Sequence, residues 1–215
     1  MRPQFITFDI FGTVVDWRAG LELACKAADR PLVPGEFDRL VDAQGRLQKG
    51  EFLPYTEVTV RSLTEVLSVS VAVASRITES IGTWPFYSES ANALAELIEI
   101  VPCAAMTNSD HVHGEQIQER LGFRLAEWLC AEETGVYKPD VRFFQAMAAR
   151  RDTVLGKDWW HVSAYADYDL AQANHLGLST VFVNRPHSRP GAATYRVEDL
   201  RELIRLVHNA TRGAS

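Results

Sequence analysis

Cysteine, positive charge and long apolar runs are all scarce in this sequence of 215 residues. The three cysteines, Cys25, Cys103 and Cys130, are odd in number and share no metal-ligand spacing. We therefore expect free thiols, packed in the interior of a protein from a reducing compartment. The net charge of −6 disfavours nucleic acid and anionic membrane surfaces as partners. No apolar stretch is long enough to span a bilayer and no signal peptide is recognisable, so we expect a cytoplasmic protein.

The composition is that of a folded domain, with 47% hydrophobic and 23% charged residues. A chain of this length fits one α/β domain, or one such domain with an insert. Between residues 16 and 85 only helical patterns occur, at 21–28, 37–48, 57–67 and 71–81. Beyond residue 85, short apolar runs alternate with helical patterns, which predicts a parallel sheet with right-handed crossovers. The Pro-, Gly- and Arg-rich segment 184–194 is typical of an ordinary surface loop.

Asp9 follows a short apolar run, residues 5–8, that is rich in aromatic and β-branched side chains. Such a run is typical of a buried strand, and the Gly12-Thr13 turn ends it. The carboxyl ends of parallel strands are where open α/β sheets bind ligands. An ionised aspartate there can act as a nucleophile that forms a covalent ester. The same residue could instead cap the next segment, and its surroundings must decide.

Three further polar signals follow apolar runs or open a helix. They are Thr107 with Asn108, then Lys138, and then Asp169. Each has an ordinary structural interpretation, as a cap or as a solvated lysine. Because parallel strands end at one edge of the sheet, however, all three would face the same crevice as Asp9. Their order along the chain favours a shared site.

In that order the sequence resembles the haloacid dehalogenase superfamily over nearly its whole length. The family's motifs are matched by residues 9–16 (DIFGTVVD), 106–109 (MTNS), 136–140 (VYKPD) and, more weakly, 161–163 (HVS) with Asp169. The resemblance implies an α/β protein with a Rossmann-like parallel sheet, helices on both faces and an inserted helical cap. It places the catalytic core at residues 1–15 and 86–215 and the cap at 16–85.

The reaction depends on the second position after Asp9. Most members of the superfamily are Mg²⁺-dependent phosphatases with a second aspartate there, where this chain has Phe11. Their fourth motif begins with a Gly-Asp pair, where this chain has Ser163-Ala164. The L-2-haloacid dehalogenase branch has an aromatic residue at the second position and needs no metal or other cofactor. A hydrolase of small 2-haloacids is therefore our leading hypothesis, and a Mg²⁺-dependent phosphatase of a small phosphorylated metabolite is the alternative.

The resemblance also implies roles for individual residues. Asp9 would attack the halogenated carbon, and Lys138 would hold Asp9 ionised. Thr13, Thr107 and Asn108 would orient Asp9 and the substrate carboxylate. Asp169 would position Lys138 and help to activate the water that hydrolyses the ester.

The halide would lie against aromatic rings and one arginine. Phe11, Trp17 and Tyr168 are the candidates for the apolar wall, although Trp17 could equally be an ordinary core residue. The family's halide-binding arginine comes from the first part of the cap, where Arg39 matches best by spacing and Arg46 is the second choice.

Two positions depart from the dehalogenase pattern. Phe144 stands where that branch has a tyrosine, and Ala166 stands where it has an asparagine. The departures leave open a different small-molecule substrate, or a binding module that kept the fold and lost the chemistry. Retention of Asp9, Lys138 and Asp169 argues against a silent module, because buried charges are costly to keep. The resemblance makes a homodimer through cap helices plausible.

Overall fold

A computed structural model describes residues 2–212 of the chain. Its centre is a six-stranded sheet in the order β3-β2-β1-β4-β5-β6, and every neighbouring pair is parallel. This is the strand order of a Rossmann sheet, whose ligand crevice lies where the order reverses, here between β1 and β4. The predicted α/β class is confirmed. The strands are β1 Phe5–Phe8, β2 Cys103–Thr107, β3 Glu127–Cys130, β4 Trp159–Ser163, β5 Ser179–Val183 and β6 Tyr195–Val197.

The central strands are buried on both faces. Every residue of β1, β2, β4 and β5 is buried, which explains why these strands read as continuous apolar runs without alternation. The few polar residues that they contain are therefore taken out of water. Thr7 in β1 and His161 in β4 are both 0% exposed and pair with each other across the two strands.

Four helices lie between residues 17 and 79, as the helical patterns predicted. They are α1 Trp17–Ala27, α2 Glu36–Leu47, α3 Tyr55–Leu67 and α4 Val71–Glu79. Helix α1 begins earlier than predicted because Asp16 caps it, accepting a hydrogen bond from the backbone N–H of Ala19 at 3.0 Å. We call residues 17–79 the helical insert. The division of the chain into a core and a cap at residues 16–85 stays a prediction.

One buried carboxylate ties the helical insert to the sheet. Asp110 follows β2 and accepts hydrogen bonds from the backbone N–H groups of Tyr55, at 2.6 Å, and Thr56, at 2.8 Å. These two N–H groups open α3 and would otherwise lack partners within the helix. Asp110 thereby fixes the start of α3 beside the carboxyl end of β2.

The second half of the chain alternates as predicted, with two differences. The helix expected from Asp169 opens as a π-helical turn, Ala166–Leu170, which shifts the residues after β4 relative to a regular helix. A short sixth strand was not predicted. The remaining helices are α5 Ser90–Ile98, α6 His111–Leu121, α7 Ala131–Thr134, α8 Val141–Arg150, α9 Ala171–His175 and α10 Leu200–Arg212.

The prediction of an ordinary surface loop at 184–194 is wrong for its first part. Arg185 is only 6% exposed, and its guanidinium lies 2.7 Å from Oε1 of Glu89. The same side chain donates two hydrogen bonds to the carbonyl oxygen of Thr13, at 3.1 and 2.8 Å. Arg185 is buried because it satisfies a backbone carbonyl of the turn that follows β1.

The three cysteines are free and buried, as predicted. Burial raises the pKa of Cys25 to about 11 and the pKa values of Cys103 and Cys130 to about 12. Thiols of this kind are unreactive. None of the helices within residues 2–212 has both the length and the apolar character that a membrane span requires.

Two glycines in helix interiors provide a matched test of packing. A Cβ added at Gly20 in α1 would lie 2.3 Å from Cγ of Trp84, whereas a Cβ at Gly45 in α2 would meet nothing within 4 Å. We expect Gly20→Ala to lower the free energy of unfolding by about 1–3 kcal/mol through overpacking. Gly45→Ala should raise it by about 0.5–1 kcal/mol, because alanine favours the helix. Urea unfolding followed by circular dichroism measures both, and equal stabilisation by the two variants would contradict the close contact at Trp84.

Candidate active site

Lys138 lies between two aspartates at the carboxyl edge of the sheet. Its Nζ is 3.0 Å from Oδ1 of Asp9 and 2.7 Å from Oδ2 of Asp169. The three side chains come from the end of β1, the segment before α8 and the π-helical turn after β4. None of the three residues is more than 4% exposed. The structure thus brings together the three charged residues that the sequence placed after apolar runs or at the start of a helix.

The second oxygen of Asp9 is held by the turn that follows it. The hydroxyl of Thr13 donates to Oδ2 of Asp9 at 2.7 Å and accepts a hydrogen bond from the backbone N–H of Ala164 at 3.0 Å. Gly12 makes this return possible, because its φ of 93° lies in the left-handed region that favours glycine. With both oxygens engaged, the Asp9 carboxylate has a fixed orientation.

Burial and the neighbouring opposite charges shift the pKa values of Asp9, Lys138 and Asp169 in opposite directions. Burial raises the pKa of Asp9 above its ordinary value, and Lys138 opposes that rise. Burial alone would raise the pKa of Asp169 too, but Lys138 and His161 hold it well below the ordinary 3.8. For Lys138, the two carboxylates outweigh burial and raise the pKa above 10.5. Asp169 and Lys138 are therefore a stable ion pair, and Asp9 is the more basic of the two carboxylates.

Asp9 opens onto a cleft of about 1120 Å³ that the helical insert and the strand ends share. Aromatic side chains supply much of its wall, and cations lie toward its exposed margin. The aromatic residues are Phe11, Trp17, Phe52, Tyr55, Tyr137, Tyr165 and Tyr168. A small molecule in this cleft would meet a carboxylate at the bottom and rings along the sides, which is a usual arrangement for a small-molecule site.

Thr107 and Asn108 line the same cleft, as the sequence predicted for a shared site. The Asn108 side chain is bound on both sides to the backbone of Lys138. Its Oδ1 accepts from the N–H of Lys138 at 2.7 Å, and its Nδ2 donates to the carbonyl oxygen at 3.1 Å. Asn108 thus positions the lysine segment.

Phe11 and Tyr168 line the cleft beside Asp9, and Trp17 lines it as well. Phe11 is 8% exposed and packs against Tyr55 and Trp84, each with ring centroids 6.3 Å apart. The residue that replaces the phosphatases' second aspartate is therefore an apolar wall, with no proton to donate. Sequence reasoning missed Tyr165, which also lines the cleft. Its hydroxyl and the indole N–H of Trp17 are buried donors without a partner among the described residues.

Arg39, the first choice for a halide-binding arginine, is not among the residues that line the cleft. Arg39 lies on the solvent face of α2, where its side chain is 58% exposed and 3.6 Å from Oε1 of Glu36. The adjacent residue, Leu40, takes the buried position of that helical turn. Arg46, the second choice, lines the cleft and pairs with Glu65.

A third arginine, Arg189, was not considered from the sequence. It lines the cleft and lies 3.4 Å from Oδ1 of Asp42 in α2 and 3.5 Å from Oδ2 of Asp167 in the π-helical turn. It therefore bridges the helical insert and the sheet at the margin of the cleft. It lies in the Arg-rich segment that the sequence assigned to an ordinary loop, and the abundance of arginine there was the available signal.

The two departures from the dehalogenase pattern lie close to the ion pair. Phe144 is fully buried and packs edge-on against His161, with ring centroids 5.4 Å apart. Ala166 opens the π-helical turn and is 2% exposed. His161 was quoted within the fourth motif without a role, yet its Nε2 lies 3.0 Å from Oδ1 of Asp169.

The residues around Asp9 fit a magnesium ion poorly. The ammonium group of Lys138 lies between the two carboxylates that would have to share the ion. Phe11 offers no oxygen, and Asp167 is 41% exposed and pairs with Arg189. Magnesium demands a near-octahedral shell of oxygens, which this set does not supply.

A second group of ligand-type side chains, His111, Cys130 and Glu133, has its ligand atoms within 4.8 Å of one another. It lies outside the lining of the cleft. Burial raises the pKa of Cys130 to about 12, which disfavours the thiolate that a metal would need. Arg150 already pairs with Glu133. We assign no metal site to this group.

Neither a family model nor a curated protein matches the sequence, but solved structures match nearly all of it. An L-2-haloacid dehalogenase has a TM-score of 0.82 and 24% identity, with 95% of this chain and 99% of that one covered. The L-2-haloacid dehalogenase of Xanthobacter autotrophicus with chloropropionic acid covalently bound has a TM-score of 0.80 and 16% identity, with 96% of this chain and 98% of that one covered. A Bacillus subtilis protein described as a HAD-hydrolase and bound to magnesium has a TM-score of 0.81 and 16% identity, with 97% of this chain and 100% of that one covered.

At these identities the likeness shows the fold. The chain therefore has the haloacid dehalogenase fold that its four motifs predicted. That fold carries both dehalogenases and a magnesium-bound hydrolase, so the reaction has to be argued from the site.

The ion pair of Asp169 should be visible in the pH dependence of stability. We expect Asp169→Asn to cost about 3–5 kcal/mol near neutral pH, because it leaves Lys138 buried with one partner fewer. A carboxylate whose pKa is lowered on folding stabilises the protein above its unfolded pKa, and this contribution is lost as the pH falls through the folded pKa. The deficit of the variant should therefore shrink below the ordinary value of 3.8. Urea unfolding at a series of pH values measures the deficit.

Asp167→Asn is the matched control, since Asp167 lies two residues away and is 41% exposed. Its free energy of unfolding should differ little from that of the unaltered protein at every pH. A deficit of Asp169→Asn that grew on acidification would contradict the ion pair.

Proposed function

We propose that the protein is a hydrolase that displaces halide from a small 2-haloacid through an ester on Asp9, without a metal. The observation that carries the proposal is the Lys138 ammonium 3.0 Å from an Asp9 carboxylate that opens onto an aromatic-walled cleft, with Phe11 at its side. The shared fold with L-2-haloacid dehalogenases supports it.

The first step is attack by an oxygen of Asp9 on the carbon that bears the halogen. A new C–O bond forms as the carbon–halogen bond breaks, and the halide leaves with the bonding electron pair. Because a halide needs no proton to depart, the site requires no general acid, and Phe11 is compatible with that chemistry. The raised pKa of Asp9 makes it a better nucleophile than an ordinary carboxylate, while Lys138 keeps it ionised.

The second step is hydrolysis of the Asp9 ester. Water attacks the carbonyl carbon, Cγ, of Asp9, and the bond between Cγ and the ester oxygen breaks. One proton of the water passes to that oxygen and the other to solvent, which restores the Asp9 carboxylate. The product is a 2-hydroxy acid whose carbon was inverted in the first step. Both oxygens of Asp169 already accept hydrogen bonds, from Lys138 and from His161. We therefore assign Asp169 to the positioning of Lys138, which carries its effect to the nucleophile.

The substrate carboxylate needs a cation, because the net charge of −6 repels anions at long range. Lys138 is committed to two carboxylates. Arg46 and Arg189 line the cleft with side chains that are 61% and 39% exposed, so each can turn toward an anion that enters. Arg189 is the better placed, because it lies between the helical insert and the π-helical turn that carries Tyr168.

Asp9→Asn tests the nucleophile directly. The change is isosteric and leaves Lys138 its ion pair with Asp169, so the variant should still fold, at some cost in stability that circular dichroism measures. An amide cannot form the ester, and halide release should fall to background. The assay uses L-2-chloropropionate and haloacetates in EDTA, with ion-selective detection of halide. In the unaltered protein, hydrolysis in ¹⁸O-water over many turnovers should place the heavy oxygen in Asp9.

A parallel assay with an aryl phosphate and Mg²⁺ tests the alternative, a phosphatase, which the magnesium-bound neighbour of the same fold brings into consideration. Phosphate release that vanishes with EDTA, without halide release, would replace the proposed function by the alternative. Undiminished halide release by Asp9→Asn would contradict the nucleophile. A homodimer through helices of the insert stays a prediction.

The arginine assignment has its own test. We expect Arg189→Gln to raise KM for the haloacid by about 10-fold, because one cation fewer faces the substrate carboxylate, with a smaller change in kcat. Arg39→Gln is the matched control on α2 and should leave both constants within about twofold, since Arg39 lies outside the cleft. A KM effect at Arg39 and none at Arg189 would contradict the choice of Arg189.

A further inference from the structure

A continuous chain of hydrogen bonds runs from the interior of the sheet to Asp9. The indole N–H of Trp159 donates to Oγ1 of Thr7 at 2.7 Å, and Thr7 Oγ1 lies 2.8 Å from Nδ1 of His161. Nε2 of His161 lies 3.0 Å from Oδ1 of Asp169. Asp169 then accepts from Lys138, which also donates to Asp9. The members of the chain inside the sheet, Thr7 and His161, are 0% exposed.

One arrangement of hydrogen atoms satisfies this chain. Asp169 is ionised, because its pKa is held below the ordinary value, so both of its oxygens accept. Nε2 of His161 must therefore carry a hydrogen. Thr7 Oγ1 already accepts from Trp159, and its own hydrogen has two acceptors within reach. Nδ1 of His161, at 2.8 Å, is much closer than the carbonyl oxygen of Trp160, at 3.5 Å, so we assign the hydrogen to the contact with Nδ1. The ring is thus held in one tautomer and one orientation by contacts at both nitrogens.

The histidine fixes which way Asp169 faces. With Oδ1 taken by His161, the other oxygen, Oδ2, faces Nζ of Lys138 at 2.7 Å. Phe144 packs edge-on against the ring and keeps it dry. Without His161, Oδ1 would be a buried acceptor with no partner, and the carboxylate could turn away from the lysine.

We propose that His161 is a positioning residue of the active site, which aims Asp169 at Lys138 and so keeps Lys138 aimed at the nucleophile Asp9. The inference rests on the proposed function for its kinetic consequences. An apolar residue would satisfy the fold at a fully buried strand position at less cost, since burying an imidazole requires partners for both nitrogens. Of its two partners, Thr7 fixes the ring from inside the sheet, and Asp169 connects it to the Asp9 carboxylate through Lys138.

His161→Phe keeps a ring of similar size but removes both nitrogens. We expect kcat to fall roughly 10- to 100-fold, with KM changed little, because the substrate does not touch His161. Loss of the histidine should also raise the pKa of Asp169, since His161 lowers it. The acid limb of the pH profile of kcat/KM belongs to Asp9, the more basic carboxylate. It should move to higher pH, because Lys138, which lowers the pKa of Asp9, is no longer held in place by Asp169. The titratable groups that face Asp169 are Lys138, His161, Asp9 and Tyr168.

Two further variants separate positioning from stability. His161→Gln supplies an amide N–H that can donate to Asp169. It should recover part of the lost kcat and move the acid limb part of the way back to its position in the unaltered protein. Trp160→Phe is the matched control, because Trp160 is the fully buried neighbour in β4 and packs against Tyr195 on the other face of the sheet. It should lose stability without a change in kcat or in the acid limb. If His161→Phe behaves like Trp160→Phe, the histidine has a structural role only and the proposal is overturned.

An independent readout covers the case in which the unaltered protein releases no halide, so that the proposed function fails. In histidine labelled with ¹⁵N, the NMR signals of His161 should show a hydrogen on Nε2 and none on Nδ1. Asp169→Asn should shift that N–H signal, whereas Trp160→Phe should leave it in place. A signal with the hydrogen on Nδ1 alone, or one that Asp169→Asn does not move, would overturn the positioning contact whatever the reaction is.

Discussion

The rest of the structure depends on one lysine ammonium buried between two carboxylates. Taking three charges out of water is expensive, and the expense is offset only if each remaining lone pair and hydrogen finds a partner. Thr13 engages the free oxygen of Asp9, and His161 engages the free oxygen of Asp169. The backbone of Lys138 is in turn fixed by Asn108. The buried polar side chains of Thr7, Thr13 and His161 therefore belong to one network with these three charges. This network explains why a hydroxyl and an imidazole are buried in strands that are otherwise apolar.

The topology makes such a pair possible. Strand β1 lies between β2 and β4, all three are parallel, and their carboxyl ends meet where the strand order reverses. Asp9 leaves β1, Asn108 leaves β2 and the π-helical turn leaves β4, so groups more than a hundred residues apart in sequence come within hydrogen-bond distance. The helical insert then covers the crevice from the other side. Arg185 supports the turn at Thr13 from the loop after β5, which couples a fourth strand end to the orientation of the Asp9 carboxylate.

What the sequence could predict follows from the same geometry. Asp9, Asn108, Lys138 and Asp169 stand beside strand ends that local apolar runs already mark, so their convergence required only the assumption of a parallel sheet. Spacing alone could not decide whether Arg39 or Arg46 lies at the site, because a shift of a few residues along α2 determines whether a side chain faces solvent or the cleft. Arg185, Tyr165 and His161 were missed or given no role because their partners are distant in sequence. No local pattern distinguishes a buried histidine that holds a carboxylate from one that only fills space.

The lysine also bears on the kind of reaction that the site suits. A divalent ion shared by Asp9 and Asp169 would have to displace an ammonium group that is already within 3.0 Å of both. The fixed cation neutralises the nucleophile without offering a coordination position to a phosphoryl oxygen, and Phe11 supplies no proton to a departing alkoxide. A leaving group that departs as a stable anion needs neither a metal coordination position nor a proton donor. In the proposed reaction, the aromatic wall of the cleft would exclude water around such an anion, and the arginines at its margin would face the substrate carboxylate.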